Sequence, residues 1–246
     1  MKKKRAHNSS LNETIKTVFY ATLIALVVRI FAFEPFNIPS GSMLPTLLVG
    51  DYLFVSKYSY GYSHHALPFS LPLFSGRILA DVPQRGDVAV FKVPTDNKTD
   101  YVKRVIGLPG DSIQVVRGIL HINGLPVRRD RIEDFVAEDG DGRIRVYTQY
   151  IEVLPNDVRH RIIELSDTGP LDNTREFVLP EDHYFVMGDN RDNSTDSRSI
   201  VGYVPFENFV GRADVFFFSV DNSAHLWEIW KWPWAIRFAR LFSCID

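Results

Sequence analysis

The chain has 246 residues, 45% of them hydrophobic, enough for one large domain or two small ones with a packed core, and this excludes wholesale disorder. A formal net charge of −2 gives no case for nucleic acid as the main partner. The single cysteine, Cys244, excludes an internal disulfide and lacks partners for a thiolate metal cluster.

The first element is apolar. After the basic start MKKKR comes an uncharged stretch, TVFYATLIALVV, over 17–28; Arg29 interrupts it and IFAF continues to Phe33. A cleaved signal peptide wants small residues after its apolar core, and Phe31-Ala32-Phe33 is too bulky. A buried soluble helix competes, because a span needs about 20 residues. The preferred reading is a transmembrane anchor over 17–33, with Lys16 and Arg29 reaching toward opposite interfaces. The positive-inside rule then puts residues 1–16 in the cytoplasm and 34–246 outside it.

Next comes FNIPSGSMLPT, residues 36–46. Pro39 fixes its own φ and biases Ile38 to an extended form, while Gly41 permits a tight turn. Ser42 is presented on that stiff turn beside Ser40, which suits a nucleophile next to an oxyanion hole. A Ser/Gly/Pro turn with no chemistry is the commoner meaning of such a stretch taken alone.

From here to the C-terminus short β-rich runs alternate with turn residues. Strands are predicted at 51–58, 87–93, 100–107, 143–154, 160–165, 175–180, 183–189 and 212–220. SIQVVRG and ILHINGLPV form a further pair, with Asn123-Gly124 as a type I′ turn. The pattern predicts a mostly β, curved-sheet domain, with 112–180 as an inserted sub-domain and 59–84 as a loop with exposed apolar content. The tail, LWEIWKWPWAIRFARLF over 226–242, holds all four tryptophans. It reads either as a segment packed on the core or as one lying in a membrane interface.

A serine nucleophile needs a base. None of the seven histidines sits in a recognisable triad segment, and no G-x-S-x-G elbow occurs. A lysine serves if burial lowers its pKa. In the predicted strand YVKRVIG, Lys103 has Tyr101 and Val105 as same-face neighbours, and a stranded ammonium there is costly unless it goes neutral. A lysine reaching out from the strand end is the competing reading. GDNRDNSTDSR, 188–198, lacks the ligand order of a calcium loop and reads as a polar loop held by Asp–Arg pairs and Asx turns. RGD at 85–87 is a turn opening a strand.

Taken together and in order, SGSMLPTLLVGDYLFVSKYSYG, RGDVAVFKVP, YVKRVIGLPGD and MGDNRDNSTDSR, followed by VGYVP and VGRA, resemble the type I signal peptidases, membrane-bound serine proteases that remove signal peptides from exported proteins. The blocks span about residues 36–212, although the middle insert matches nothing recognisable. The resemblance implies Ser42 as nucleophile and Lys103 as general base. It implies Ser194 as the group orienting the lysine amine, and Ser40 as an oxyanion donor alongside the Ser42 N–H. Asp196 and Arg198 would form an ion pair shaping the site. The implied fold is a coiled, mostly antiparallel β-sheet behind an N-terminal transmembrane helix, and no metal or cofactor is required.

On that resemblance the substrate is the end of a signal peptide in a preprotein. It binds extended beside Phe36–Ser40 and Asp100–Lys103 and is cut after a small-x-small site. Phe36, Ile38, Met43, Leu47, Tyr101 and Val102 are the expected substrate contacts. Membrane lipid is the other expected partner, and a bacterial inner membrane, spanned once, is the expected location. Two rivals are a self-cleaving repressor, for which the chain lacks a basic helix-turn-helix region, and an anchored binding protein without activity, against which intact Ser42 and Lys103 speak.

Overall fold

The computed structural model describes residues 3–67, 70, 75–138, 143–221 and 228–245. An N-terminal helix, Lys3–Phe31, is followed by strands and short turns of helix. Its apolar window, Asn12–Phe31, is 20 residues long and none of its residues is buried. The helix ends at Phe31, two residues before the end of the expected anchor over 17–33. Phe33 does not belong to the helix but opens an edge strand, Phe33–Asn37, because this segment pairs with Asp51–Ser56, Phe33 opposite Ser56 and Asn37 opposite Tyr52. Pro35 is tolerated there because an edge strand leaves one side of its backbone unpaired. The exit is tied down by Lys57, whose buried amine pairs with Glu34 at 2.8 Å and donates to Ala66 O at 2.6 Å.

The main sheet has seven strands in the order Phe33–Asn37, Asp51–Ser56, Phe209–Ser219, Val88–Lys92, Asp100–Gly107, His183–Met187, Val204–Pro205, and every pairing is antiparallel. Both faces are buried. Val88 and Val90 point into one core with Ile38, Met43, Leu47 and Phe216, while Ala89 and Phe91 point into another with Tyr60, Val186 and Phe209. Register irregularities in Phe209–Ser219, between Ala213 and Val215 and between Phe216 and Phe218, bend the central strand and so curl the sheet. The mostly β, curled antiparallel fold expected from the strand pattern is the one observed.

Between Gly107 and His183 the chain builds two smaller sheets. One joins Phe177–Val178, Ser112–Val116, Ile119–Ile122 and Leu125–Pro126. Asn123 and Gly124 both have positive φ, 54° and 77°, as the type I′ turn requires. The other sheet joins Arg128–Arg131, Ile144–Val153, Phe135–Glu138 and Arg159–Glu164. The run expected as a strand over 175–180 pairs only at Phe177 and Val178. Arg128–Arg131 gave no strand signal because it has no apolar alternation; Arg129 instead lies over the Tyr150 ring and pairs with Glu164.

In the segment read as a loop, Tyr62–Ser63 pairs with Arg77–Ile78 and leaves Ile78, Leu79 and Val82 exposed; residues 68, 69 and 71–74 lie outside the described residues. The C-terminal segment packs on the sheet. Ile236 bridges Val220, Cys244 bridges Val215, and Arg240 pairs with Asp51 at 2.6 Å while lying over the Phe216 ring. Trp232 packs against Phe218, whereas Trp230 and Trp234 face outward; Leu226 and Trp227 lie outside the described residues.

Candidate active site

Two strand edges face each other across a cleft of about 830 Å³. Phe33–Asn37 is the outer strand of the sheet. Asp100–Lys103 pairs on one side with Val88–Lys92, but His183–Met187 pairs only from Arg104 onward, so this stretch keeps a free edge. Residues 36–43, 99–103 and 192–195 line the cleft, and no histidine is among them. Ser42 and Lys103 meet there. The lysine amine is 2.6 Å from Ser42 Oγ and donates to Val102 O at 3.1 Å. Lys103 is 4% exposed, and burial pushes its pKa down to about 8, against the upward pull of Asp196 and Asp189. Ser40 Oγ lies 3.5 Å from Ser42 Oγ.

The polar loop is held by ion pairs, Arg198–Asp196 within it and Asp189–Arg104 and Arg191–Glu152 to the rest of the chain. Arg198 grips Asp196 at two points, 3.0 and 2.8 Å, and the Gly188 N–H donates to the same carboxylate. Burial alone would raise Asp196, but Arg198 and the Gly188 N–H outweigh it and hold the carboxyl below its usual range. Asp189 is held in the same way by Arg104, at 3.0 and 2.8 Å, and accepts from Thr46. Asp192 accepts the Leu165 and Ser166 N–H groups. Among the described residues no cluster of three or more His, Cys, Asp or Glu could hold a metal.

Phe36, Ile38, Met43, Tyr101 and Val102, five of the expected substrate contacts, line the cleft. Two expectations need correcting. Leu47 is fully buried beneath Met43 in the core and supports the wall rather than forming it. Ser194 lines the cleft but makes no hydrogen bond to Lys103. Its hydroxyl sits near enough to Asp196 to help lower that pKa, yet without hydrogen-bond geometry. Four neighbours escaped the sequence reading. Asn190 hydrogen-bonds the serine turn, Thr46 and Arg104 hold Asp189, and Gly188 lets Ser194 and Ser42 O approach closely. The one sequence signal for Gly188 and Asn190 was their place in the motif GDNRDN.

A family profile described as signal peptidase, peptidase S26, matches residues 11–218. The chain belongs to this family. As a peptidase S26 protein it is a serine peptidase, and the serine with a buried lysine against it lies inside the matched region. Signal peptidase I of Rickettsia typhi is 40% identical to it over 257 residues, covering 96% of each chain, and that of Rickettsia prowazekii is also 40% identical with the same coverage. A solved signal peptidase I from Enterococcus faecalis is 26% identical, with a TM-score of 0.32, over 54% of this chain and 97% of the other.

Proposed function

We propose that this peptidase is a membrane-anchored endopeptidase that removes signal peptides from exported preproteins after a small-x-small site, through an acyl-enzyme formed on Ser42. The observation that carries the reading is the 2.6 Å contact between Ser42 Oγ and a buried Lys103 amine, at the floor of a cleft with two free strand edges. An extended peptide adds between those edges as a strand, and its small side chains fit the shallow walls made by Ile38, Met43 and Val102.

Neutral Lys103 takes the Ser42 proton as Oγ attacks the scissile carbonyl. The oxyanion is met by the Ser42 N–H and the Ser40 hydroxyl. Lys103 then gives its proton to the leaving amine, and the acyl-enzyme is hydrolysed by a water that Lys103 deprotonates. Asp196 and Arg198 shape the wall, and Ser194 reaches the amine only if its rotamer changes on substrate binding.

The Lys3–Phe31 helix is the single span in this proposal. MKKKR places its start in the cytoplasm, and the catalytic domain from residue 34, with 112–180 inserted, rests outside a bacterial inner membrane in contact with lipid. The test incubates wild type, Ser42→Ala and Lys103→Ala with a preprotein bearing a small-x-small site in lipid vesicles, and maps the product N-terminus. One cut by wild type, with both variants folded and inert, is the expected result. Near-full activity of Lys103→Ala would place the base elsewhere, and an inert wild type would favour an anchored binding protein.

A further inference from the structure

Asn190 joins the serine turn to the insert between Gly107 and His183. Asn190 is fully buried. Its Nδ2 donates to Gly41 O at 3.0 Å and its backbone N–H donates to Ser42 O at 3.2 Å. The carbonyl of Gly41 and the N–H of Ser42 belong to one trans peptide, so they point in opposite directions. The Gly41 carbonyl is held from two sides, by the Leu44 N–H within the turn at 3.2 Å and by buried Asn190, and the Ser42 N–H points away from both, where Gly41 and Ser42 line the cleft. Among the described residues that N–H has no protein acceptor, which leaves it available to a developing oxyanion. The other end of the Asn190 amide, Oδ1, is buried without a partner. The side chain's hydrogen bonding is thus spent on Gly41 at the cost of an unsatisfied acceptor, which is unusual for a residue serving only the fold.

Asn190 is itself held by the insert. It bridges Ile163, with the Ile163 N–H donating to Asp189 O at 2.9 Å and the Arg191 N–H donating to Ile163 O at 3.0 Å. The buried Arg191 guanidinium grips both oxygens of Glu152, at 2.9 and 2.5 Å. Glu152 stands opposite His160 in the Ile144–Val153 and Arg159–Glu164 pairing, so the grip and the bridge come from one hairpin. Burial keeps the His160 pKa low, and the hairpin therefore presents one carboxylate to one guanidinium.

We infer that Asn190 is a positioning residue that aims the Ser42 N–H at the oxyanion, and that the insert, through Ile163 and the Glu152–Arg191 pair, is the brace that keeps Asn190 in place. The inference rests on Ser42 being the nucleophile. A misaimed oxyanion donor weakens the transition state without weakening ground-state binding, so the loss falls on kcat.

Steady-state cleavage of a preprotein with a small-x-small site is measured for wild type, Asn190→Ala, Glu152→Gln and the double variant. Asn190→Ala is expected to lower kcat by about 10- to 100-fold with KM within about twofold. Glu152→Gln acts through the same chain, so the double variant is expected to fall within about twofold of Asn190→Ala alone. Arg191→Lys keeps the charge but loses the two-point grip, and it replaces Glu152→Gln if that variant does not fold. In a Ser42→Ala background, hydrogen exchange over residues 41–47 is expected to rise with Glu152→Gln while the Val88–Lys92 strand stays protected. A folded Asn190→Ala with unchanged kcat, a loss confined to KM, multiplicative losses in the double variant, or unchanged exchange over 41–47 would each overturn the inference. Cleavage by Ser42→Ala would instead overturn the nucleophile, and the exchange measurement would still report on the brace.

Discussion

In the proposed mechanism Lys103 does work that its solution chemistry forbids. An exposed lysine is almost wholly protonated at neutral pH and cannot accept a proton. Burial lowers it to about 8, while Asp196 and Asp189 pull the other way. A base acts only when neutral, so kcat/KM should climb as pH rises through about 8 and fall on the acid side along a one-proton limb. Asp196→Asn removes one of the charges that favour the protonated form. The acid limb of that variant should therefore move to lower pH, even though leaving Arg198 without its carboxylate weakens the fold. A pH profile of kcat/KM for both proteins checks the sign. A limb that stays in place or moves up would mean that the titrating group is not under the influence of Asp196.

At the scale of elements, the loop 188–198 is the part of the site whose geometry is most tightly fixed. A Cβ built on Gly188 would lie 2.2 Å from Ser194 Oγ and 2.5 Å from Ser42 O. Neither the serine turn nor the Asp196–Arg198 grip has room to give, so Gly188→Ala should push the loop off Ser42. We expect kcat/KM to drop at least about tenfold, with a cost of about 1–3 kcal/mol in stability from overpacking. Cleavage rates and a melting curve of the purified variant check both; near wild-type activity would mean the loop is looser than drawn. The same loop marks where sequence reading stops. Strands such as Val88–Lys92 and Asp100–Gly107 were legible because their apolar runs and bounding turns are local signals. Ser42 and Lys103 were legible as types, a hydroxyl on a stiff turn and a lysine among apolar neighbours. The Asn190 to Gly41 bond joins residues 149 positions apart, and nothing local announces it. Leu47 was taken for a wall because an apolar residue near the nucleophile looks the same from sequence whether it faces the cleft or the core. Ser194 was assigned from resemblance alone, and its hydroxyl direction is a rotamer, which no pattern of residue types encodes.

The whole molecule divides into an apolar helix and a catalytic domain that share little surface. No residue of the Asn12–Phe31 window is buried, and the cores all lie beyond Phe36. What joins the two is confined to the exit. Tyr62 donates to Phe31 O and packs edge-on against its ring, the Lys57 N–H donates to Ala32 O, and Arg29 meets Glu34 at 3.3 Å. Deleting residues 3–30 removes only the last of these, an exposed pair worth little in water. The shortened chain should fold with a melting temperature within a few degrees of the intact protein. It should cut a soluble peptide carrying the small-x-small site with a kcat/KM within about threefold of wild type, because the Ser42–Lys103 contact and both strand edges remain. On a preprotein inserted in vesicles the two should separate. As the proposed anchor, the helix would confine the enzyme to the same surface as the substrate and raise its effective concentration, so losing it should slow cleavage by about tenfold or more at equal total enzyme. Parallel assays on the peptide and on the vesicle-bound preprotein distinguish the outcomes. Equal losses on both would show that the helix supports the domain itself, and no loss on either would show that the aromatic side chains left outward at Trp230 and Trp234 hold the domain to the membrane without it.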